Sequence, residues 1–379
     1  MKFIHLSDLH LGKRFHERSL LEEQSSLLEQ VLGVVGREQP DAVLIAGDVY
    51  DKPVPPAEAV RVFDDFLVRL AKFPCKTFLI AGNHDSAERL SFAARLIAPS
   101  GIFMAPAYDG QVQPVELRDD GGTVCIWMLP FLKPAAVRAC FQEDSVESYT
   151  DAVRTAIAHM PLDSKVRNVL VTHQFVTGAQ SAGSETVNVG GADNVDAAVF
   201  APFDYVALGH IHAAQQIGER IRYCGAPMKY SFDEAGQQKT LTVTELDGER
   251  NLTIRTIPLT PPRDLRVLKG AFQHLMEGLP EGQPDIRDDL LRITLTDEQE
   301  IPDAVSRLRT CYPNVLRLDY DNTRTRLTQS AADGTEMPES KSPQTLFAEF
   351  FEKRSGHPMT EDQSAYLASC IEEIWGHHE

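Results

Sequence analysis

Along the first hundred residues, short unbroken apolar runs alternate with longer stretches whose apolar positions recur every three or four residues. Lys2–Ser7 reads as a short buried strand. Leu20, Leu21, Leu27, Leu28, Val31 and Leu32 then follow at helical spacing. Asp41–Ala46 and Thr77–Ala81 are again continuous apolar runs, the form taken by strands buried on both faces. Between them Pro55–Lys72 reads as helix with proline at its start. Ser86 is placed to cap a further helix running to Ile97. This β-α-β-α-β-α order predicts a parallel sheet, because parallel neighbours need crossover connections.

The pattern changes in the middle of the chain. Short strands are predicted at Val112–Leu117, Val124–Leu129, Val169–Thr172, Tyr205–Leu208, Arg220–Cys224, Thr240–Leu246 and Leu252–Ile257. Helical periodicity is confined to Pro134–Phe141 and Val146–His159. Two β-rich layers covered by helices suit this mixture. The proline-rich Pro258–Pro262 marks a boundary. Beyond it Leu265–Leu268, Leu290–Leu295 and Val315–Tyr320 read as strands separated by helices. The expected organisation is a main domain over 1–258, a small α/β domain over 263–326, a polar linker over 327–342 and two amphipathic helices over 343–379. The first of these helices aligns Leu346, Phe347, Phe350 and Phe351, and the second Leu367, Cys370, Ile371, Ile374 and Trp375. Such stripes either pack on the parent domain or dock on a partner.

Composition narrows the class. Asp and Glu number 55 against 37 Lys and Arg, a formal net charge of -18. That balance argues against a protein that coats itself in nucleic acid through a broad cationic surface. Residues 334–379 hold 9 acidic and 3 basic side chains, a third of the net charge. The six cysteines are scattered without a C-x-x-C pair, as expected of reduced thiols in the cytoplasm. No apolar run approaches the ~18 residues of a membrane helix, and the first residues lack a signal-peptide core.

Five segments share one grammar: an apolar strand that ends in metal-capable side chains. They are Asp8-Leu9-His10, Gly47-Asp48, Gly82-Asn83-His84-Asp85, Thr172-His173 and Gly209-His210-Ile211-His212. Residues i and i+2 of a strand point the same way, so Asp8 and His10 can reach one ion together. Oxygen and imidazole donors without thiolate suit Mn²⁺, Fe²⁺ or Zn²⁺ at an open catalytic site. A carboxylate such as Asp48 can bridge two cations. Singly each segment is weak, since a lone strand-end histidine is usually just a satisfied polar group and a lone aspartate a helix cap. Five in succession point to a metal centre.

This succession, D-x-H, GD, GNHD, TH and GHxH, resembles that of the calcineurin-like metallophosphoesterases over residues 1–258. More narrowly, Ser7–Gly12, Arg222–Pro227 and Ser231-Phe232-Asp233-Glu234 resemble the family of nuclease subunits that assemble with SbcC-type ATPases, apart from Ala226 where serine is expected. The resemblance implies a four-layer α/β/β/α sandwich with a small α/β capping domain and C-terminal partner-binding helices. It implies two divalent ions, Mn²⁺, one held by Asp8, His10, Asp48 and His212 and the other by Asp48, Asn83, His173 and His210. His84 would stabilise or protonate the leaving oxygen, Asp51 would orient His84, and Asp85 would serve the turn. It further implies cleavage of double-stranded ends from 3′ to 5′ and of DNA hairpins, in repair, recombination and palindrome processing during replication, by a homodimer of nuclease subunits within a heterotetramer. The chain has no G-x-x-x-x-G-K-[ST] phosphate loop, so ATP would be bound by the partner. Two other readings remain: a small-molecule phosphodiesterase with the same metal core, and a scaffold that has kept only the fold.

Overall fold

The unbroken apolar runs form strands that are buried on both faces. A computed structural model describes residues 1–141, 145–180, 193–278, 285–326, 343–360 and 362–367. In chain order these form β1 (Lys2–Leu6), α1 (Leu21–Glu38), β2 (Ala42–Ala46), α2 (Ala57–Leu70), β3 (Lys76–Ile80) and β4 (Ile102–Met104). There follow β5 (Val115–Asp119), β6 (Gly122–Leu129), α3 (Pro134–Cys140), α4 (Tyr149–Ala158), β7 (Arg167–His173), β8 (Tyr205–Gly209), β9 (Gln215–Ile217) and β10 (Ile221–Tyr223). β11 (Thr240–Leu246) and β12 (Leu252–Pro258) complete the part that carries the site.

Two six-stranded sheets result. The first has the order β12-β11-β1-β2-β3-β4, with β1 to β4 parallel and β11 antiparallel to β1. The second has the order β9-β10-β8-β7-β6-β5, with β6, β7, β8 and β10 parallel. The sheets face each other across an apolar layer. Phe3, Ala42, Leu44 and Phe78 of the first pack with Val124, Ile126, Val169, Val171, Tyr205 and Ala207 of the second. On the outer face of the second sheet, Trp127, Leu170, Val206 and Leu208 share a core with Val137 of α3 and Ala152, Val153 and Ala156 of α4. α1 buries Leu27, Leu28, Val31 and Leu32, and α2 buries Phe63, Phe66 and Leu70, each on one face at helical spacing. This is the four-layer α/β/β/α sandwich.

One expected helix differs. Ser86 does cap a helical turn, accepting from the Arg89 amide, but Ala87–Leu90 and Ala94–Ile97 are separate short turns. Ala93 lies between them at φ 60, and neither turn buries a residue that would hold a longer helix in place. Phe92 and Leu96 are 83% and 81% exposed.

The chain divides into two compact units, Met1–Arg266 and Val267–Glu379. In the second, β14 (Leu290–Leu295) lies at the centre of a three-stranded sheet, parallel to β15 (Val315–Tyr320), with β13 (Leu265–Gly270) on its other side. Leu291, Ile293 and Leu295 pack there with Phe272 and Leu275 of α5 (Phe272–Glu277) and with Ala304 and Leu308 of α6 (Ala304–Leu308). α7 (Pro343–Ser355) leaves Phe347 and Phe350 exposed. The expected linker 327–342 and most of the second C-terminal stripe (Cys370, Ile371, Ile374, Trp375) lie outside the described residues. No described helix is long and apolar enough to cross a membrane.

A buried charge ties the end of the first sheet to the second. Arg167, at the start of β7, is only 3% exposed. It pairs with Asp119 and donates to the carbonyls of Gly122 and Leu246 at 3.0 and 3.1 Å. The Arg167 hydrogen bonds, working against the cost of burial, hold the Asp119 carboxyl well below its ordinary range. Removing one partner of such a pair strands the other charge in the interior, which costs ~3–5 kcal/mol. Asp119→Asn should therefore shift the main denaturation transition by about that amount at pH 7. Because the folded-state pKa is depressed, the Asp119 contribution is complete above about pH 4 and fades as pH falls below it. The gap between wild type and variant in urea denaturation should thus narrow steadily at lower pH.

Candidate metal centre

The five segments converge where the carboxyl ends of the two sheets meet. Asp8 and His10 follow β1, Asp48 follows β2, and Asn83 and His84 follow β3. His173 ends β7, while His210 and His212 follow β8. Chain reversal at these points is tight. Asp8, His10, Asp48 and His210 adopt φ of 54, 42, 48 and 102, a region that residues other than glycine seldom enter and that stores strain at functional sites. Backbone hydrogen bonds hold the turns: the Asp8 amide donates to the Gly47 carbonyl and the His10 amide to the Asp48 carbonyl, both at 3.0 Å. Glycine is required where the segments touch. A Cβ on Gly209 would lie 1.9 Å from the Ala46 oxygen, and one on Gly82 would lie 2.2 Å from Asp48 Oδ1.

The side chains form two sets around Asp48. On one side His10 Nε2 faces His212 Nε2 at 3.2 Å, and Asp8, His10 and His212 lie within metal-ligating reach of one another. On the other side Asn83 Oδ1 is 3.0 Å from both His173 Nε2 and His210 Nδ1. Asp48 Oδ2 lies between the sets, 3.6 Å from His10 Nε2 and 3.4 Å from His173 Nε2. Asp8, Asp48 and the four imidazoles are at most 5% exposed. The structure therefore brings together all seven residues expected to bind metal.

So many ionisable groups in so little water perturb one another. Burial raises the Asp8 carboxyl, with the His173 and His212 charges opposing. Burial acts on Asp48 in the same sense, but the charge of and hydrogen bond from His173 outweigh it and hold this carboxyl far below its usual range. Burial would likewise depress His173; the Asp48 and Asp8 charges instead raise it to about 9. His10 and His210 are pushed down by burial, His210 to about 3.

These residues fit divalent ions. Two imidazole nitrogens meeting at 3.2 Å cannot both carry a proton, so at least one aims a lone pair into the set. The donors are carboxylate, amide oxygen and imidazole, with no thiolate among them, as suits Mn²⁺ or its neighbours. Asp48 is the carboxylate shared by the two sets.

Around the donors lie the residues that aim them. His84 Nδ1 donates to the backbone carbonyl of Asp51 at 3.0 Å. The expected link between Asp51 and His84 thus runs through the main chain. The Asp51 carboxylate instead accepts from Lys13 Nζ at 2.8 Å and lies 3.8 Å from His10 Nδ1. Asp85 accepts from the amides of Val49, Tyr50 and Gly82 at 2.9–3.0 Å, clamping the Asp48 and Asn83 loops together. Burial and the nearby Asp48 charge raise its carboxyl to about 6. Sequence reasoning missed the parts played by Ser7, which donates to Asp8, Tyr230, which donates to the Leu9 carbonyl, and Glu234. Glu234 is fully buried, with Oε1 3.4 Å from His212 Nδ1 and Oε2 2.5 Å from Lys239 Nζ. Burial pushes Glu234 up, but the His212 hydrogen bond and the Lys239 charge bring it down to about 2. The only sequence sign of it was its place in the Ser231–Glu234 signature.

Comparison with known proteins accords with this geometry. Residues 1–214 match the model of the calcineurin-like phosphoesterases, and residues 261–355 match the model described as the Type 5 capsule protein repressor C-terminal domain. The chain is 30% identical over 323 residues to the SbcD component of the SbcCD nuclease of Staphylococcus epidermidis, covering 84% of this chain and 85% of that one. Among solved structures, a dimetal phosphatase from Danio rerio matches at 12% identity and TM-score 0.40, over 69% of this chain and 99% of its own. A Thermus thermophilus protein matches at 13% and 0.37, over 67% and 98%. By its family match and its curated relative, the chain belongs to the calcineurin-like phosphoesterases, within the SbcD family of SbcCD nuclease components.

Proposed function

We propose that the chain is the nuclease subunit of an SbcCD-type complex and hydrolyses DNA phosphodiester bonds with two Mn²⁺ ions. The observation that carries this is the Asp48 carboxylate, shared between two sets of buried donors. Asp8, His10, Asp48 and His212 would hold one ion, and Asp48, Asn83, His173 and His210 the other. When bound, such ions supply a nucleophilic water of lowered pKa and neutralise charge on the phosphate oxygens.

The chain's own residues do the rest. His84 is half-buried, and its Nδ1 is tied to the Asp51 carbonyl. With Nδ1–H so held, Nε2–H of the imidazolium form would give a proton to the leaving oxygen, the part of a general acid. Lys13 neutralises Asp51 at the edge of the site. At Gly47, Gly82 and Gly209 a Cβ would strike the His173 or Asp48 side chain and the main chain opposite, so glycine lets these segments close on one another.

The finer activity follows the relative's name and the family resemblance. We assign 3′ to 5′ trimming of duplex ends and endonucleolytic opening of hairpins and single strands, in cytoplasmic repair, recombination and palindrome processing during replication. Residues 263–326 are assigned as the DNA-capping domain. The partner is an SbcC-type ATPase that binds the ATP, reached through helices 343–379, and the exposed Phe347 and Phe350 support such a dock. Two nuclease subunits form a homodimer within the heterotetramer; the exposed Phe92 and Leu96 offer it an apolar patch.

Three outcomes test the assignment. Chelation should abolish hairpin cleavage and Mn²⁺ should restore it, with nucleotides and bis-p-nitrophenyl phosphate poor substrates. Brisk nucleotide turnover without DNA cutting would instead identify a small-molecule phosphodiesterase. His84→Ala should keep its full metal content while its turnover falls by about 10²–10⁴-fold. A chain lacking residues 341–379 should lose the SbcC-type partner in co-purification yet keep Mn²⁺-dependent cleavage.

A further inference from the structure

The site histidines differ in what holds their outward nitrogen. His173 Nδ1 donates to the Ala46 carbonyl at 2.8 Å and His84 Nδ1 to the Asp51 carbonyl at 3.0 Å. Both acceptors are neutral main chain. Facing His212 Nδ1 is a carboxylate, Glu234 Oε1, at 3.4 Å. That carboxylate is fixed in turn. Lys239 Nζ lies 2.5 Å from Oε2 and also donates to the His212 carbonyl at 2.9 Å, and the Tyr230 amide donates to Oε1 at 3.3 Å. His212, Glu234 and Lys239 thus close a ring in which no member is more than 5% exposed. A salt bridge so deep is weak evidence for stability, because desolvation offsets most of its attraction. Its placement against a single imidazole calls for another role.

We propose that Glu234 is the positioning residue for His212, and that Lys239 holds Glu234 in place. The inference rests on the metal-centre reading given above. An ionised carboxylate can only accept, so it fixes the proton on Nδ1 and leaves the lone pair on Nε2, the nitrogen that faces His10 Nε2 at 3.2 Å. An anionic acceptor also makes the imidazole a stronger donor to a cation than a carbonyl does. His212 differs from His10 of the same set by the hydrogen bond to the carboxylate behind it; the Asp51 carboxylate stands 3.8 Å from His10 Nδ1, beyond hydrogen-bond reach.

Glu234→Gln tests this, because Lys239 should draw the amide oxygen and turn the amide NH₂ toward His212 Nδ1. In metal-free full-length protein, proton–nitrogen correlation spectra, assigned with His212→Gln, should then show His212 moving from the Nδ1–H to the Nε2–H tautomer. Calorimetric titration with Mn²⁺ should show one of two ions bound ~10–100-fold more weakly, with the other little changed. Lys239→Met breaks the same loop staple but keeps the carboxylate, and should lose less affinity than Glu234→Gln. An unchanged tautomer, unchanged affinity for both ions, or an equal loss in Lys239→Met would overturn the proposal. If Glu234→Gln does not fold, Glu234→Gln/Lys239→Met removes the stranded cation and takes its place in the Mn²⁺ titration, where the same ~10–100-fold loss at one ion is expected and unchanged affinity would overturn the proposal. Wild-type protein that binds no Mn²⁺ would defeat the metal-centre reading, and the tautomer spectra would still decide whether Glu234 orients His212.

Discussion

Asp48 is the joint on which the two sheets are assembled. Its main-chain carbonyl accepts from His10, its Oδ1 accepts from the His84 amide at 2.9 Å, and its Oδ2 faces His10 and His173. One residue thereby links the ends of β1, β2, β3 and β7. In this arrangement buried carboxylates and buried imidazoles answer one another. Asp48 stays ionised largely by virtue of His173, and His173 stays charged largely by virtue of Asp48. Left-handed backbone at Asp8, His10, Asp48 and His210 adds strain at the same place. Favourable packing of the two sheets has to overcome both costs.

Much of this was legible in the sequence because it is local. An apolar run that ends in Gly-Asp or Gly-Asn-His-Asp declares a buried parallel strand and a tight exit in the same few residues. The candidate set could be listed for that reason, since its seven members sit at the ends of five strands. What stayed hidden depends on contacts across long separations or on the main chain. Glu234 reaches His212 through a loop that carries no periodic signal. The tie between His84 and Asp51 uses a carbonyl, which every residue possesses. The segment Ser86–Ile97 looked helical by capping and periodicity, yet it has no buried face and breaks at Ala93.

The charge balance also changes meaning. The net -18 disfavours a cationic coat, and on the sheet of the second unit basic side chains are paired with acidic ones. Lys269 and Arg326 pair with Asp321, Arg292 and Arg317 with Asp319, and Arg324 with Glu300. Arg317, Arg324 and Arg326, close together in the sequence, lie in a mosaic of both signs. Each such exposed pair contributes little to stability and is screened by salt. A phosphate approaching this face would compete with a carboxylate for each of these guanidiniums.

The close approach at Gly209 and Gly82 bears on how such a site can change. At these two points a Cβ would run into main chain or into the candidate ligands themselves: the Ala46 carbonyl and His173 Nδ1 at Gly209, and the Asp48 carboxylate and amide at Gly82. Most enzyme pockets can be reshaped by swapping one core residue for another of different bulk. Here the two glycines offer nothing to swap, so a lineage or an engineer seeking a new substrate must work from the loops around them. A fixed reactive floor with interchangeable surroundings makes the chemistry portable while leaving selectivity open to revision.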